Sequence, residues 1–194
     1  MTQQSLLDRP FEIRLPCLRL QQPIGEFFVA SISCRDLCEI TLADVRRMYK
    51  ERDVETYLGI QRPLKSDRVD EISQYVNTID ACFPTAVILA VEGRCAEYDV
   101  DRKELILRSA SDGEGGKVTS IQIAKVLDGQ HRIEGLRAFK GVAFDVNVSI
   151  FIDMDIESQA YLFSTVNLAQ TKVNKSLVYD LFEYSKARSP QKTC

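Results

Sequence analysis

With 194 residues, 45% of them apolar and 27% charged, the chain has the make-up of a soluble globular protein with one well-buried core, and is too short for two ordinary domains. No apolar run reaches the roughly eighteen residues of a membrane-spanning helix, and Met1-Thr2-Gln3-Gln4-Ser5 lacks the basic start and apolar centre of a signal peptide, so a cytoplasmic location is expected. A net charge of −3 argues against coating nucleic acid by bulk electrostatics, and six scattered cysteines beside a single histidine read as reduced thiols rather than zinc ligands.

Phe11, Ile13 and Leu15, then Phe27 and Val29 with Ser31 or Ile32, alternate with polar residues and predict two strands around Gln21-Gln22-Pro23. Pro16 marks the first as an edge or interrupted strand. Thr41 predicts the cap of a short helix with Leu42, Val45, Met48 and Tyr49 on one face. Residues 51–65 read as a polar loop that brings Arg62 and Lys65 to the start of the next helix. That helix begins at Ser66 and buries a stripe of Val69, Ile72, Val76 and Ile79, with Arg68, Asp70, Glu71 and Gln74 outward. Pro84 to Val91 is a continuous apolar run, the pattern of a strand covered on both faces.

Glu104 to Arg108 predicts a further strand, and Ser111 to Lys117, with three glycines, a flexible loop. Ile121 to Leu127 reads as a buried strand, His131 to Lys140 as a short helix, and Phe144 to Ile152 as a strand with Val146, Val148 and Ile150 inward. Strand, helix and strand in this order favour a mixed α/β layer fold. Asp155 or Asp153 caps the next helix, in which Ile156, Ala160 and Phe163 share a side. Asn167, Gln170, Thr171, Lys172, Asn174 and Lys175 then form a dense polar stretch, open to two readings: a solvated loop, or a second ligand-contacting loop. A last helix carries Leu177, Val178, Leu181 and Phe182 inward. The domain is expected over 1–185, with 186–194 a polar tail that looks like a truncation point.

The chain is organised around Asp128-Gly129-Gln130-His131-Arg132. A strand that turns at a glycine into a helix gathers backbone N–H groups and the positive end of a helix dipole at one point, which makes an anion site. Arg132 can hold a phosphate with its planar fork. His131 is the only histidine in the chain, and Gly129 allows a close approach or a positive φ. Asp128 suits either a helix cap or a cation that neutralises phosphates. The plainer reading also fits: Asp128 caps the helix, Arg132 is solvated and His131 sits in a surface hydrogen bond. Glu134, one turn beyond His131, is a second candidate acid. No P-loop, dinucleotide-binding glycine turn or nucleophile elbow is present.

These five residues resemble the motif that names the DGQHR-domain proteins, which include DndB-type regulators of DNA phosphorothioation and DpdB-type components of deazaguanine DNA modification. The likeness continues in Arg62-Pro63-Leu64-Lys65-Ser66-Asp67-Arg68-Val69-Asp70-Glu71-Ile72 and in Asn167-Leu168-Ala169-Gln170-Thr171-Lys172-Val173-Asn174-Lys175-Ser176-Leu177, over about residues 20–185. That family is in turn similar to the ParB N-terminal and sulfiredoxin superfamily. The resemblance implies an α/β (α+β) fold with a mixed sheet flanked by helices. It implies nucleotide phosphates at Gly129, Gln130, His131 and Arg132, with Asn167, Gln170 and Lys172 as a second phosphate motif whose spacing departs from the ParB pattern. Asp128 would orient Mg²⁺ or a nucleophile. Sulfiredoxins carry a reactive cysteine where this chain has Gln130, so sulfinic acid reduction is not expected.

The expectation that follows is a component of a bacterial DNA-modification system that binds ATP, or another nucleoside triphosphate, with Mg²⁺ and hydrolyses it, using Asp128, His131 and Glu134. The rival expectation is a non-catalytic DNA-binding regulator, with Arg62, Lys65, Arg68 and Lys175 on the DNA backbone. A third is a scaffold whose last helix docks on a DNA-modifying enzyme. Self-association is left open, and no membrane partner is expected.

Overall fold

The computed structural model describes residues 10–42, 66–110 and 116–169, with side chains to 166. The chain divides into two compact units, Met1–Ser164 and Thr165–Cys194, and the whole sheet belongs to the first. Seven strands form a mixed sheet: β1 (Glu12–Gln22), β2 (Gly25–Ser33), β3 (Val87–Val91), β4 (Ala96–Asp99), β5 (Glu104–Arg108), β6 (Ala124–Asp128) and β7 (Asp145–Ile152), in the order β4-β5-β1-β2-β7-β3-β6. Four helices accompany them among the described residues: α1 (Cys34–Ile40), α2 (Ser66–Tyr75), α3 (Gln130–Leu136) and α4 (Ile156–Ala169). The fold is α/β.

Alternation builds the middle of the sheet. Val146, Val148 and Ile150 of β7 are all fully buried, and they lie opposite Ile32, Ala30 and Phe28 of β2. β3 is buried at four of its five positions because it is flanked by β7, in parallel, and by β6, antiparallel, while Val87, Leu89 and Val91 share the core cluster with Ile133 and Leu136 of α3. Pro16 explains the behaviour of β1. Residues up to Pro16 pair with β5, and from Cys17 onward the strand pairs with β2. The proline, which has no N–H to give a ladder, stands where β1 changes partner. It marks an interruption within the sheet, not an outer edge.

Several boundaries differ from the sequence reading. The first helix comes earlier than Thr41. Ser33 is its N-cap, accepting from the Asp36 N–H at 3.1 Å, and Thr41 ends it by donating its hydroxyl to the Leu37 carbonyl at 2.7 Å. The helix expected after Thr41 lies, from residue 43, outside the described residues, as do the loop before Ser66 and the last helix. α2 stops at Tyr75, so Val76 is buried but Ile79 is fully exposed. Ile121 belongs to a 3-10 turn, Ser120–Gln122, and β6 begins only at Ala124. Between the two candidate caps of α4 the structure chooses Asp155. Its carboxylate accepts from both the N–H and the hydroxyl of Ser158, bonds that hold its pKa below the usual carboxylate range. Asp153 instead takes a left-handed φ of 49° and accepts from the Gly93 N–H.

Candidate functional site

β6 delivers Asp128 to the sheet end, opposite Ile88 of β3, where the β3–β6 register shifts between Ile88 and Leu89. Such an irregularity re-aims the residues beside it. Gly129 follows at φ 98°, ψ 10° and is the N-cap of α3, with no side-chain capping bond. The N-cap residue is therefore Gly129 and not Asp128. The helical ladder starts with the Ile133 N–H on the Gly129 carbonyl, so the N–H groups of Gln130, His131 and Arg132 precede it. A Cβ on Gly129 would stand 2.9 Å from a Val87 methyl and 3.1 Å from Nη2 of Arg132. Glycine is required here by conformation and by space.

The Arg132 fork, which the sequence aims at a phosphate, is turned onto the protein. Nη1 donates to the carbonyl of Thr85 and, at 2.9 Å, to its hydroxyl. Nη2 donates to the Ala86 carbonyl at 3.0 Å and to Asp128 Oδ2 at 3.1 Å. The two side chains of this ion pair are 17% and 23% exposed, so neither is solvated in the manner of the plainer reading. Burial pulls the Arg132 pKa down, the Asp128 carboxylate opposes that shift, and Arg68 adds to it. The last contribution places the positive charge of Arg68, exposed on α2, within electrostatic reach of the turn.

Glu134 is drawn elsewhere. It pairs with Arg137 at 2.7 Å, and Arg137 donates onward to the Cys38 carbonyl of α1 at 3.1 Å. That carboxylate serves the α1–α3 contact. His131 and Gln130 are half-buried. Arg62, Lys65, Gln170, Lys172 and Lys175 lie outside the described residues, and Asn167 is described only as backbone near the end of α4. Among the described residues no group of three histidine, cysteine or acidic side chains is placed to hold a metal ion, and no helix is long and apolar enough to cross a membrane.

Sequence reasoning missed Thr85 and Ala86, the acceptors for Arg132. Only their position just before a buried strand distinguishes them, and nothing local signals a partner so far along the chain. A separate open cleft of about 920 Å³ lies at the other end of α3, lined by residues including Cys34, Arg35, Cys38, Ser120, Arg137 and Phe144.

A strand, a left-handed glycine and a short helix, braced by an Asp–Arg pair, are thus in place at the motif. A family model described as DndB, DNA-sulfur modification-associated, matches residues 15–192. The chain belongs to the DndB family. Of the two DNA-modification systems that the motif resembles, this match names the sulfur system, and the chain is a protein associated with it. The matched span of the DndB family contains the whole turn, its bracing residues and the polar stretch that begins at Asn167. Comparison with curated proteins and with solved structures finds no match.

Proposed function

We propose that the turn from Asp128 to Arg132 receives the phosphates of a nucleotide, and that the chain serves DNA-sulfur modification as an ATP-binding and ATP-hydrolysing component. The observation that supports this reading is the Gly129 turn. Its left-handed φ and crowded surroundings fix three N–H groups ahead of the α3 ladder, and Arg68 adds positive charge nearby. An anion is the natural complement of that arrangement.

Gly129, Gln130 and His131 contact phosphate oxygens in this reading. Asp128, whose Oδ2 accepts from Arg132, orients Mg²⁺ or the attacking water in this reading. One carboxylate oxygen suits Mg²⁺, which takes most of its ligands from phosphates and water. When bound, the ion neutralises phosphate charge. Asn167, Gln170 and Lys172, the second phosphate motif that the resemblance implies, lie outside the residues whose side chains are described. The partner is DNA or a DNA-modifying enzyme.

A second reading, a DNA-binding regulator without catalysis, is favoured by the internal commitment of Arg132 and by the exposure of Arg68, which has no ion-pair partner among the described residues. Calorimetric titration with ATP, CTP, GTP and ADP, each with Mg²⁺, separates the two. The nucleotide reading expects one triphosphate to bind, with affinity falling about tenfold or more in His131→Ala, the loss expected when a charge-assisted contact is removed. A folded wild type that binds none of the four would sink it.

A further inference from the structure

We infer that Arg132 is a positioning residue: it braces the turn against the segment entering β3 and neutralises Asp128, and its fork is not a phosphate ligand. Its role toward phosphate rests on the nucleotide reading above, whereas the brace is a property of the unliganded protein.

A guanidinium has five N–H groups. Two on Nη1 reach the carbonyl and hydroxyl of Thr85, and two on Nη2 reach the Ala86 carbonyl and Asp128. Only Nε–H is left. A bidentate grip on phosphate needs two parallel N–H groups, so Arg132 would have to abandon at least one of these acceptors to make it. The Thr85 bonds are exposed, but the Ala86 carbonyl and the Asp128 carboxylate are partly buried, and leaving either of those unpaired is costly.

The turn is built on the guanidinium. Nη2 lies 3.1 Å from where a Cβ of Gly129 would be, directly against the residue whose left-handed φ aims the N–H groups. Thr85 and Ala86 precede β3, and Asp128 ends β6 opposite Ile88. Arg132 therefore ties two neighbouring strand ends together at the bulge between them. Removing it would leave Asp128 as a bare carboxylate beside the turn, where it would repel phosphate.

The test uses the full chain, with the Arg132 guanidinium observed by NMR and ATP binding followed by calorimetry without Mg²⁺, so that a metal contact of Asp128 plays no part. Four separate Nη–H signals are expected for Arg132, because four fixed bonds stop the fork from rotating, and they should persist when ATP saturates the protein. A single averaged signal in the free protein, or loss of the four on ATP binding, overturns the inference. If ATP does not bind, the nucleotide reading fails and the signals of the free protein still decide the brace.

In the titrations Arg132→Gln should weaken ATP about tenfold or more, the scale of an unpaired sheltered charge. Adding Asp128→Asn, which makes the pair neutral, should bring affinity, though not hydrolysis, back to within about threefold. A double variant as weak as Arg132→Gln alone would show a direct phosphate ligand. Should the Arg132 variants not fold, Thr85→Val replaces them: it touches no phosphate, yet by loosening the fork it should cost about threefold in affinity. An unchanged affinity there overturns the brace.

Discussion

Gly129 and Cys38 show how single residues carry physical consequences that can be measured. Gly129 was legible as a turn glycine from its place between an apolar run and a helical one, and its φ of 98° agrees. An alanine there adds left-handed strain to a Cβ contact of 2.9 Å with Val87, so Gly129→Ala should lower stability by about 1–3 kcal/mol, read as a lower urea midpoint. Cys38 packs under α3, its thiol on the Ile133 carbonyl, and burial raises its pKa from 9.0 to about 11. A group that titrates higher in the folded chain favours folding below the unfolded pKa and loses that contribution as pH rises through the folded one. Stability should therefore decline between about pH 9 and pH 11, and decline less in Cys38→Ala, as urea unfolding at pH 8.5 and 10.5 would show. The destination of Arg132 was not legible. Its acceptors at Thr85 and Ala86 are 47 and 46 residues away, and a fork suited to phosphate is equally suited to carbonyls.

Among the elements, α2 and α3 cross so closely that the contact depends on a missing side chain. A Cβ on Gly135 would fall 2.3 Å from a methyl of Ile72 and 2.7 Å from its Cβ. Gly135→Ala should destabilise by about 1–3 kcal/mol, seen as a lower thermal midpoint. Ile72→Val should not rescue it, because the Ile72 Cβ would still be in the way. Such a crossing also explains why the apolar stripe misled at Ile79. Asn77 ends α2 by donating to the carbonyls of Ser73 and Ala138 and accepting from the Lys140 N–H, which ties the helix to the chain after α3 and turns Ile79 outward. Periodicity recognises a buried face but not a tertiary bond that stops the helix early. α1 was missed for a related reason: seven residues are too few to show a period, and the serine that caps them closes a strand.

At the scale of the whole molecule, the sequence announced the strands better than their neighbours. Alternation located β1, β2 and β7, a solid apolar run located β3, and the short apolar core of Glu104–Arg108 located β5. Yet the partner exchange of β1 at Pro16 and the parallel pairing of β3 with β7 depend on contacts far apart in the chain, which no local pattern encodes. Charge is the other global property, and it bears on the DNA reading. A net charge of −3 leaves no diffuse attraction to DNA, so affinity would have to come from local cations. Four such residues, Arg62, Lys65, Arg68 and Lys175, would release about four counterions, and log affinity should then fall with log salt at a slope of roughly −3.6, from 0.9 per phosphate contact. Arg68→Ala should reduce that slope by about one unit, without changing preference among DNA sequences, because a phosphate contact reads no base. Fluorescence anisotropy of a labelled duplex between 50 and 200 mM salt would measure both. A flat salt response, or a slope that Arg68→Ala leaves unmoved, would remove this residue from the DNA interface and leave its positive charge to the turn at Asp128.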